Sequence, residues 1–258
     1  MKCYPFISGY LTVPAEVMLR SGSRLSGPLT LAARSLLVEH EGRRILIDPG
    51  LSPLIPPEQQ EAYGISFPAD LSGLPAVTGL SPETITDVIL THLHFDHTAG
   101  AISLENRRPV KRYPFARYHL PRVHTSYCRE PDPSEADVLF WKWTKFMEIS
   151  WLEDWDEPWM RFEFVNGHTP GMAIPIIPCQ GFDLVYGTDL IPMHQFTRNT
   201  VSSGYDLDPG MALEEKNRFL RSVKRPAVII LYHDPGLEYV TWPEAAVGPE
   251  KIGKVLVI

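Results

Sequence analysis

Thr91-His92-Leu93-His94-Phe95-Asp96-His97 places three imidazoles and a carboxylate within six residues. Imidazole and carboxylate are the ligand types that zinc and neighbouring divalent metals take. A lone core histidine is ordinarily structural, but three beside an aspartate would be costly to bury without a cation to neutralise the charge. Directly before this run, Asp87-Val88-Ile89-Leu90-Thr91 reads as a short buried strand. A regular strand sends neighbouring side chains to opposite faces, so the ligands must sit in the turn that follows it, where they can converge.

Three more short strands end in the same way. Arg161 to Val165 leads to Asn166-Gly167-His168, Phe182 to Tyr186 leads to Gly187-Thr188-Asp189, and Ala227 to Tyr232 leads to His233. Strand ends are where α/β folds collect functional groups. Ser35 to His40 and Arg43 to Ile47, joined by Glu41-Gly42, read as a hairpin, and Asp48-Pro49-Gly50 closes its second strand in a turn. Residues 51–79 are rich in Pro and Gly and read as an irregular loop with little helix. Ser81 is expected to cap a helix that starts at Pro82. A strand is expected over Ala116 to Leu120, and a helix from Pro209 after Asp208, with Leu213, Leu220 and Val223 on one face. Lys254 to Ile258 reads as a terminal edge strand.

The chain has 258 residues with 44% hydrophobic and 21% charged, and it shows no separating linker and no short repeat, so a single domain over 1–258 is expected. Five of the six tryptophans fall within 135–159, and the stretch beginning at Ser134 reads as a helical insertion with an N-cap. Its rings either cover the core or wall a substrate pocket, with core packing favoured. The net charge of −7 lacks the basic footprint of a nucleic-acid binder, and the small cluster Arg107, Arg108, Lys111 and Arg112 reads as a solvated loop. Cys3, Cys128 and Cys179 are odd in number and widely spaced, which argues for reduced thiols in a cytoplasmic protein. No apolar stretch suits a signal peptide or a membrane span. His40, His119 and His124 stand outside any motif. The expected partner is a small molecule, not nucleic acid or membrane, and homodimer formation is left open.

The His92-x-His94-x-Asp96-His97 run, with Gly167-His168-Thr169-Pro170-Gly171, Gly187-Thr188-Asp189 and Tyr232-His233-Asp234-Pro235 following in order, resembles the metallo-β-lactamase superfamily. The resemblance runs from about Ser35 to Pro235. It implies an α/β fold, a four-layer αβ/βα sandwich of two mixed sheets, and two divalent metal ions: zinc first, manganese or iron as alternatives. His92, His94 and His168 would hold the first ion. Asp96, His97 and His233 would hold the second, and Asp189 would bridge the two with a hydroxide between them. Asp48 matches an aspartate that supports a ligand histidine, and it reads equally as a turn residue.

Asp189 stands where β-lactamases of the superfamily often carry a cysteine, so lactam cleavage is not expected. His94 disfavours the flavodiiron branch. Asp189-Leu190-Ile191-Pro192-Met193-His194, Tyr205-Asp206-Leu207-Asp208-Pro209, Leu213-Glu214-Glu215-Lys216 and His233-Asp234-Pro235 resemble the lactonase, aryl-esterase and organophosphate-hydrolase-like branch. Its lactonases place a tyrosine three residues after the bridging aspartate, where this chain has Pro192. His194 or Tyr205 is the candidate replacement donor, and His194 reads as readily as a pocket wall. Asp96 or Asp189 would relay the proton. Ester or lactone hydrolysis, extending to phosphotriesters, is the leading expectation. A mononuclear iron sulfur dioxygenase and a non-catalytic metal-binding scaffold are the alternatives.

Overall fold

The computed structural model describes residues 1–20, 26–67, 78–243, 250–252 and 255–257. The N-terminal half contains β1 (Lys2–Pro14), α1 (Ala15–Met18), β2 (Pro28–His40), β3 (Arg43–Ile47), α2 (Pro57–Ala62), β4 (Asp87–Ile89), α3 (Phe95–Thr98), β5 (Ile102–Glu105), β6 (Arg108–Lys111), β7 (Arg117–Leu120) and α4 (Arg122–Tyr127). It continues with β8 (Ile149–Trp151), β9 (Arg161–Val165), β10 (Met172–Pro178), β11 (Asp183–Tyr186), β12 (Ala227–Ile230), β13 (Tyr239–Trp242), β14 (Glu250–Ile252) and β15 (Val255–Val257), with α5 (Pro209–Ser222) before β12. Among the described residues the strands form two large mixed sheets, ordered β14-β15-β1-β2-β3-β4-β7-β8 and β13-β12-β11-β10-β9, plus the small hairpin β5-β6. Strands β3, β4, β7 and β8 run parallel, as do β11 and β12, and the other pairs are antiparallel. This is the expected sandwich of mixed sheets.

Side-chain alternation explains the layering. Leu36, Val38, Ile45, Ile47 and Ile89 point into one core, shared with Ile174, Ile176, Val185, Ile229 and Ile230 of the second sheet and with Phe219 and Leu220 of α5. Their strand neighbours Leu37, Leu46 and Val88 point into a second core with Tyr118, Leu120 and Trp143 on the opposite face. Period-two alternation with both faces apolar marks a sheet covered on both sides. The β2–β3 hairpin turns through Glu41 (φ 46°) and Gly42 (φ 80°), two left-handed residues that match the twist of paired strands. No helix among the described residues is long and apolar enough to cross a membrane.

Several expectations are corrected. The 135–159 stretch is not a helical insertion: it holds turns, 3-10 turns at Lys142–Phe146 and Leu152–Asp154, and strand β8. Its backbone is committed sideways, Phe95 N–H donating to Val138 O (2.9 Å) and Phe140 N–H to Leu93 O (2.7 Å), bonds that a helix would have kept internal. The Ser81 side chain caps nothing; its carbonyl closes the single 3-10 turn Pro82–Thr84. The 51–79 loop contains α2, and residues 68–77 of it lie outside the described residues. On α5 the buried face is Ala212, Glu215, Lys216, Phe219 and Leu220, with Leu213 and Val223 only partly covered. Strand β15 is covered by β14, so it is not the edge, and Lys254 and Ile258 lie outside the described residues. Arg108 and Lys111 belong to the β6 strand of the hairpin and not to a loop. A long strand, β1, precedes the first expected hairpin and pairs with β2 from end to end, with a register shift at Ser8, the extra residue between Ile7 (opposite Arg34) and Gly9 (opposite Ala33).

Candidate metal centre

Four strand ends deliver the site. After β4 the chain leaves the sheet through Thr91 and His92, and His94 (ψ 147°) starts the one-turn helix α3, whose first turn carries Asp96 and His97. The switch from extended to helical backbone lets near neighbours in sequence aim at one point. His168 follows β9, Asp189 follows β11 and His233 follows β12. Thr188, just before Asp189, sits at φ 46°, a genuine outlier for a β-branched residue and of the kind held by its surroundings at functional sites.

Asp189 is the centre of the cluster. Its Oδ2 lies 3.3, 3.0 and 3.1 Å from the Nε2 atoms of His92, His97 and His168, and its Oδ1 lies 3.1 Å from His233 Nε2. Asp96 Oδ2 reaches to 3.5 Å from His233 Nε2. The ligand atoms of His92, His94, His168 and Asp189 lie within 4.8 Å of one another, and so do those of Asp96, His97 and His233. All seven sequence-derived ligands therefore meet in one place, in the two groups expected, with Asp189 touching both.

The far side of each imidazole is occupied. His97 Nδ1 meets Asp48 Oδ2 (2.8 Å), His168 Nδ1 meets Asp206 Oδ1 (3.0 Å) and His94 Nε2 meets Glu135 Oε1 (3.1 Å). His233 Nδ1 meets Ala32 O (2.8 Å) and His92 Nδ1 meets Thr91 Oγ1 (3.1 Å). Thr91 donates its own hydroxyl proton to Asp48 Oδ2 at 2.6 Å, so its oxygen is left to accept from His92. A neutral ring whose outer nitrogen donates presents a bare lone pair on the inner one. With the rings neutral, as metal binding requires, His92 Nε2, His168 Nε2 and His94 Nδ1 would face each other at 3.1 and 3.2 Å as bare acceptors with no proton between them. His97 Nε2 and Asp189 Oδ1 are buried without a hydrogen-bond partner. Divalent cations would satisfy these atoms, and donation from the far nitrogen to a fixed acceptor is how metal-bound histidines are ordinarily held. The residues fit bound divalent metal. Asp48 is the supporting residue of the two readings, since it accepts from His97 and from Thr91 N–H and Oγ1.

Charge shows the same fit. Burial opposes protonation of His168, but Asp189 and Asp206 more than offset it and push its pKa up to about 10. His97 is likewise raised well above the ordinary range by Asp189, Asp96 and Asp48, against its burial. Burial together with His97 and His94 lowers His92 instead. Without metal, protons take the place of cations.

The cluster forms one wall of a cavity of about 470 Å³. His94, Asp96, His168, Asp189 and His233 open onto it, facing Leu11, Val13, Met18, Leu31, Phe95 and Val138. Two phenols reach it. Tyr205 stands at the rim, 37% exposed, and Tyr63 packs against Phe95 with ring centroids 4.9 Å apart. Pro192 lines the cavity, and its carbonyl accepts from His233 N–H. His194 does not line it: its backbone N–H and Nδ1 both bind Asp234 Oδ2, at 3.1 and 2.6 Å, which holds the ring exposed outside. None of the tryptophans lines it, nor does Phe196, which is buried in the core. Trp143 is buried in the second core, and Trp155 and Trp159 pack against the first. His124 and His119 are also more than ordinary histidines. His124 accepts from Leu93 N–H (2.8 Å) and donates to Pro170 O (2.9 Å), joining the two ligand loops, and His119 is bound to the buried Asp87. Reasoning from sequence missed Glu135, Asp206, Tyr63 and the Ala32 carbonyl. Asp206, Glu135 and Tyr63 all stand in stretches that had drawn attention, but for composition or family resemblance and not as partners of the cluster.

A search of curated protein sequences finds no match. Among solved structures, a probable metal-dependent hydrolase from Staphylococcus aureus shares 18% identity at a TM-score of 0.77, covering 94% of this chain and 92% of that one. AidC, described as a dizinc quorum-quenching lactonase, shares 18% at 0.73, covering 92% and 89%. AbOPH, a hydrolase described as in the β-lactamase superfamily, shares 21% at 0.70, covering 92% and 88%. These likenesses show the fold. The family model of the metallo-β-lactamase superfamily matches residues 30–232, which contain every strand of the ligand frame, and the chain belongs to that superfamily.

Proposed function

We propose that the protein is a dinuclear metal-dependent hydrolase of neutral esters or lactones, with zinc as the first-choice metal. The observation that carries this reading is the meeting of seven ligand side chains at the wall of a largely apolar cavity. His92, His94 and His168 would hold one ion, Asp96, His97 and His233 the other, and Asp189 both. Such a pair supplies Lewis acidity and acidifies a water near neutral pH.

The chain's own residues do the rest. Leu11, Val13, Met18, Leu31 and Val138 take up the apolar part of the substrate and exclude water. Each methylene-sized difference in fit is worth roughly 1–3 kcal/mol of selectivity. No Lys or Arg among the described residues lines the cavity, so an anionic substrate finds no counter-charge there. Asp96, which lines the cavity, would take a proton from the attacking water. Tyr63 and Tyr205 are the phenols on the cavity wall that could donate to the substrate's oxygens, while Pro192, where a lactonase places its tyrosine, offers no donor.

The likeness to AidC, described as a lactonase, supports the choice of substrate class. The test is a panel of lactones, aryl esters and phosphotriesters with protein of defined metal content. Turnover of esters or lactones, abolished by chelation and restored by divalent metal, is expected. Turnover of none of them by protein carrying two metals would overturn the reading.

A further inference from the structure

The Leu213-Glu214-Glu215-Lys216 stretch lies in α5 and contributes no candidate ligand, yet it buries two adjacent opposite charges. Glu215 is 6% exposed and Lys216 2%. A charge moved out of water costs several kcal/mol unless close hydrogen bonds replace its hydration. These two do not satisfy each other. The Glu215 carboxylate accepts from the backbone N–H of Asn166 (3.0 and 3.1 Å) and of Gly167 (2.9 Å), with the exposed Arg218 guanidinium 3.9 Å away. The Lys216 ammonium donates to Arg198 O (2.8 Å) and to Val201 O, and lies 5.6 Å from the Phe196 ring centre. Each charge grips the backbone of a different loop.

Both loops end on the same side chain. The first carries His168 immediately after Gly167. The second runs on to Asp206, whose Oδ2 accepts from Ser203 N–H (3.1 Å) and whose Oδ1 meets His168 Nδ1 (3.0 Å). Around them the helix start closes on the first loop: Asp208 N–H donates to Gly167 O (2.8 Å) and Leu207 N–H to His168 O (3.0 Å). A Cβ on Gly167 would stand 2.1 Å from Ala212 N, so the loop lies directly against the helix. One grip sets where the His168 backbone stands, and the other sets how its ring is turned. Charge-assisted hydrogen bonds in a dry interior are stiff, which suits holding a ligand within a few tenths of an ångström.

We infer that Glu215 and Lys216 are positioning residues for His168, and that they set the affinity of the metal position His168 serves and not that of its neighbour. The inference rests on the two-metal reading above. The experiment measures the two stepwise Zn²⁺ affinities by competition with a chelating dye, for wild type, Glu215→Gln, Lys216→Met, His168→Ala and the combination of His168→Ala with Glu215→Gln. In Glu215→Gln and Lys216→Met one affinity should fall by about 10–100-fold, the range seen when the outer partner of a ligand is lost, while the other stays within about threefold. Adding Glu215→Gln to His168→Ala should cost nothing further, because the residue through which it acts is gone.

Equal loss at both positions, no loss at either, or a further loss in the His168→Ala background would each overturn the inference and leave the two-metal reading intact. A merely structural role gives the first or third of these, with a lower Tm of the metal-free protein. If Glu215→Gln does not fold, Asp206→Asn breaks the second grip at its last link and is read in the same assay, with the same selective loss expected. A wild type that takes up fewer than two Zn²⁺ ions would refute the two-metal reading and this inference together.

Discussion

Loading the metal centre should release protons, and His168 sets the scale. In the metal-free protein its pKa is pushed up to about 10, Asp189 and Asp206 outweighing the effect of burial. His97 is raised well above the ordinary range in the same way. Both rings therefore carry a proton near neutrality, and a cation must displace the one on each inward nitrogen. For His168 the gap between about 10 and neutral pH is about 3 pKa units, which at 1.36 kcal/mol each is about 4 kcal/mol, a factor of about 10³ in apparent affinity. The sign follows: protons compete with metal, so affinity rises with pH, by about tenfold per unit for each proton displaced. The same raised pKa stabilises the metal-free fold fully below 6.5, and that contribution is lost as pH rises through about 10. The assay is calorimetric titration of Zn²⁺ into chelator-stripped protein in buffers of different ionisation heat. Release of about two protons per chain, from His97 and His168, is expected. Release of fewer than one, or affinity independent of pH across the neutral range, would refute the electrostatic account of the site.

Asp189→Asn should leave the chain unable to hold two metals and lower kcat/KM by at least about 100-fold, because one neutral amide oxygen cannot serve both ions; full activity with two metals bound would overturn the central role of Asp189. Gly167→Ala should cost about 1–3 kcal/mol by overpacking against Ala212, seen as a lower Tm together with weaker metal binding, and a fully stable variant would show that α5 can retreat without disturbing His168. Activated aryl esters should be better substrates than acyl-homoserine lactones by kcat/KM, since Pro192 offers no proton to the cavity; the reverse preference would point to Tyr205, and Tyr205→Phe would then abolish it.

The ligand set was legible because each member carries a local signature. A short run of buried β-branched residues announces a strand, and a ligand type in the turn after it announces a site, whether or not the partners are known. Other local patterns served as well: the Gly-containing turn at Glu41-Gly42, the weak alternation of Arg161 to Val165 before His168, and the Asp208 cap of α5, whose carboxylate accepts from Met211 N–H at 2.9 Å. The Trp-rich segment misled because composition reports apolarity but not where the backbone bonds go. Those bonds go to Leu93 and Phe95, on the loop that carries His92 and His94.

What the sequence by itself determined is which side chains gather as candidate metal ligands: seven residues that stand at strand ends and match, in order, the motifs of the superfamily they resemble. What only the tertiary structure decided is how those atoms are held and what they face. Glu135 stands 41 residues from His94, Asp206 stands 38 from His168, and Ala32 stands 201 from His233, yet each fixes the ring it touches. The cavity walls likewise come from β1, α1, β2, Tyr63 just after α2, and the loop before α5. A hydrogen bond across such separations leaves no local pattern, because it is set by how two sheets pack and not by the residues on either side of its donor.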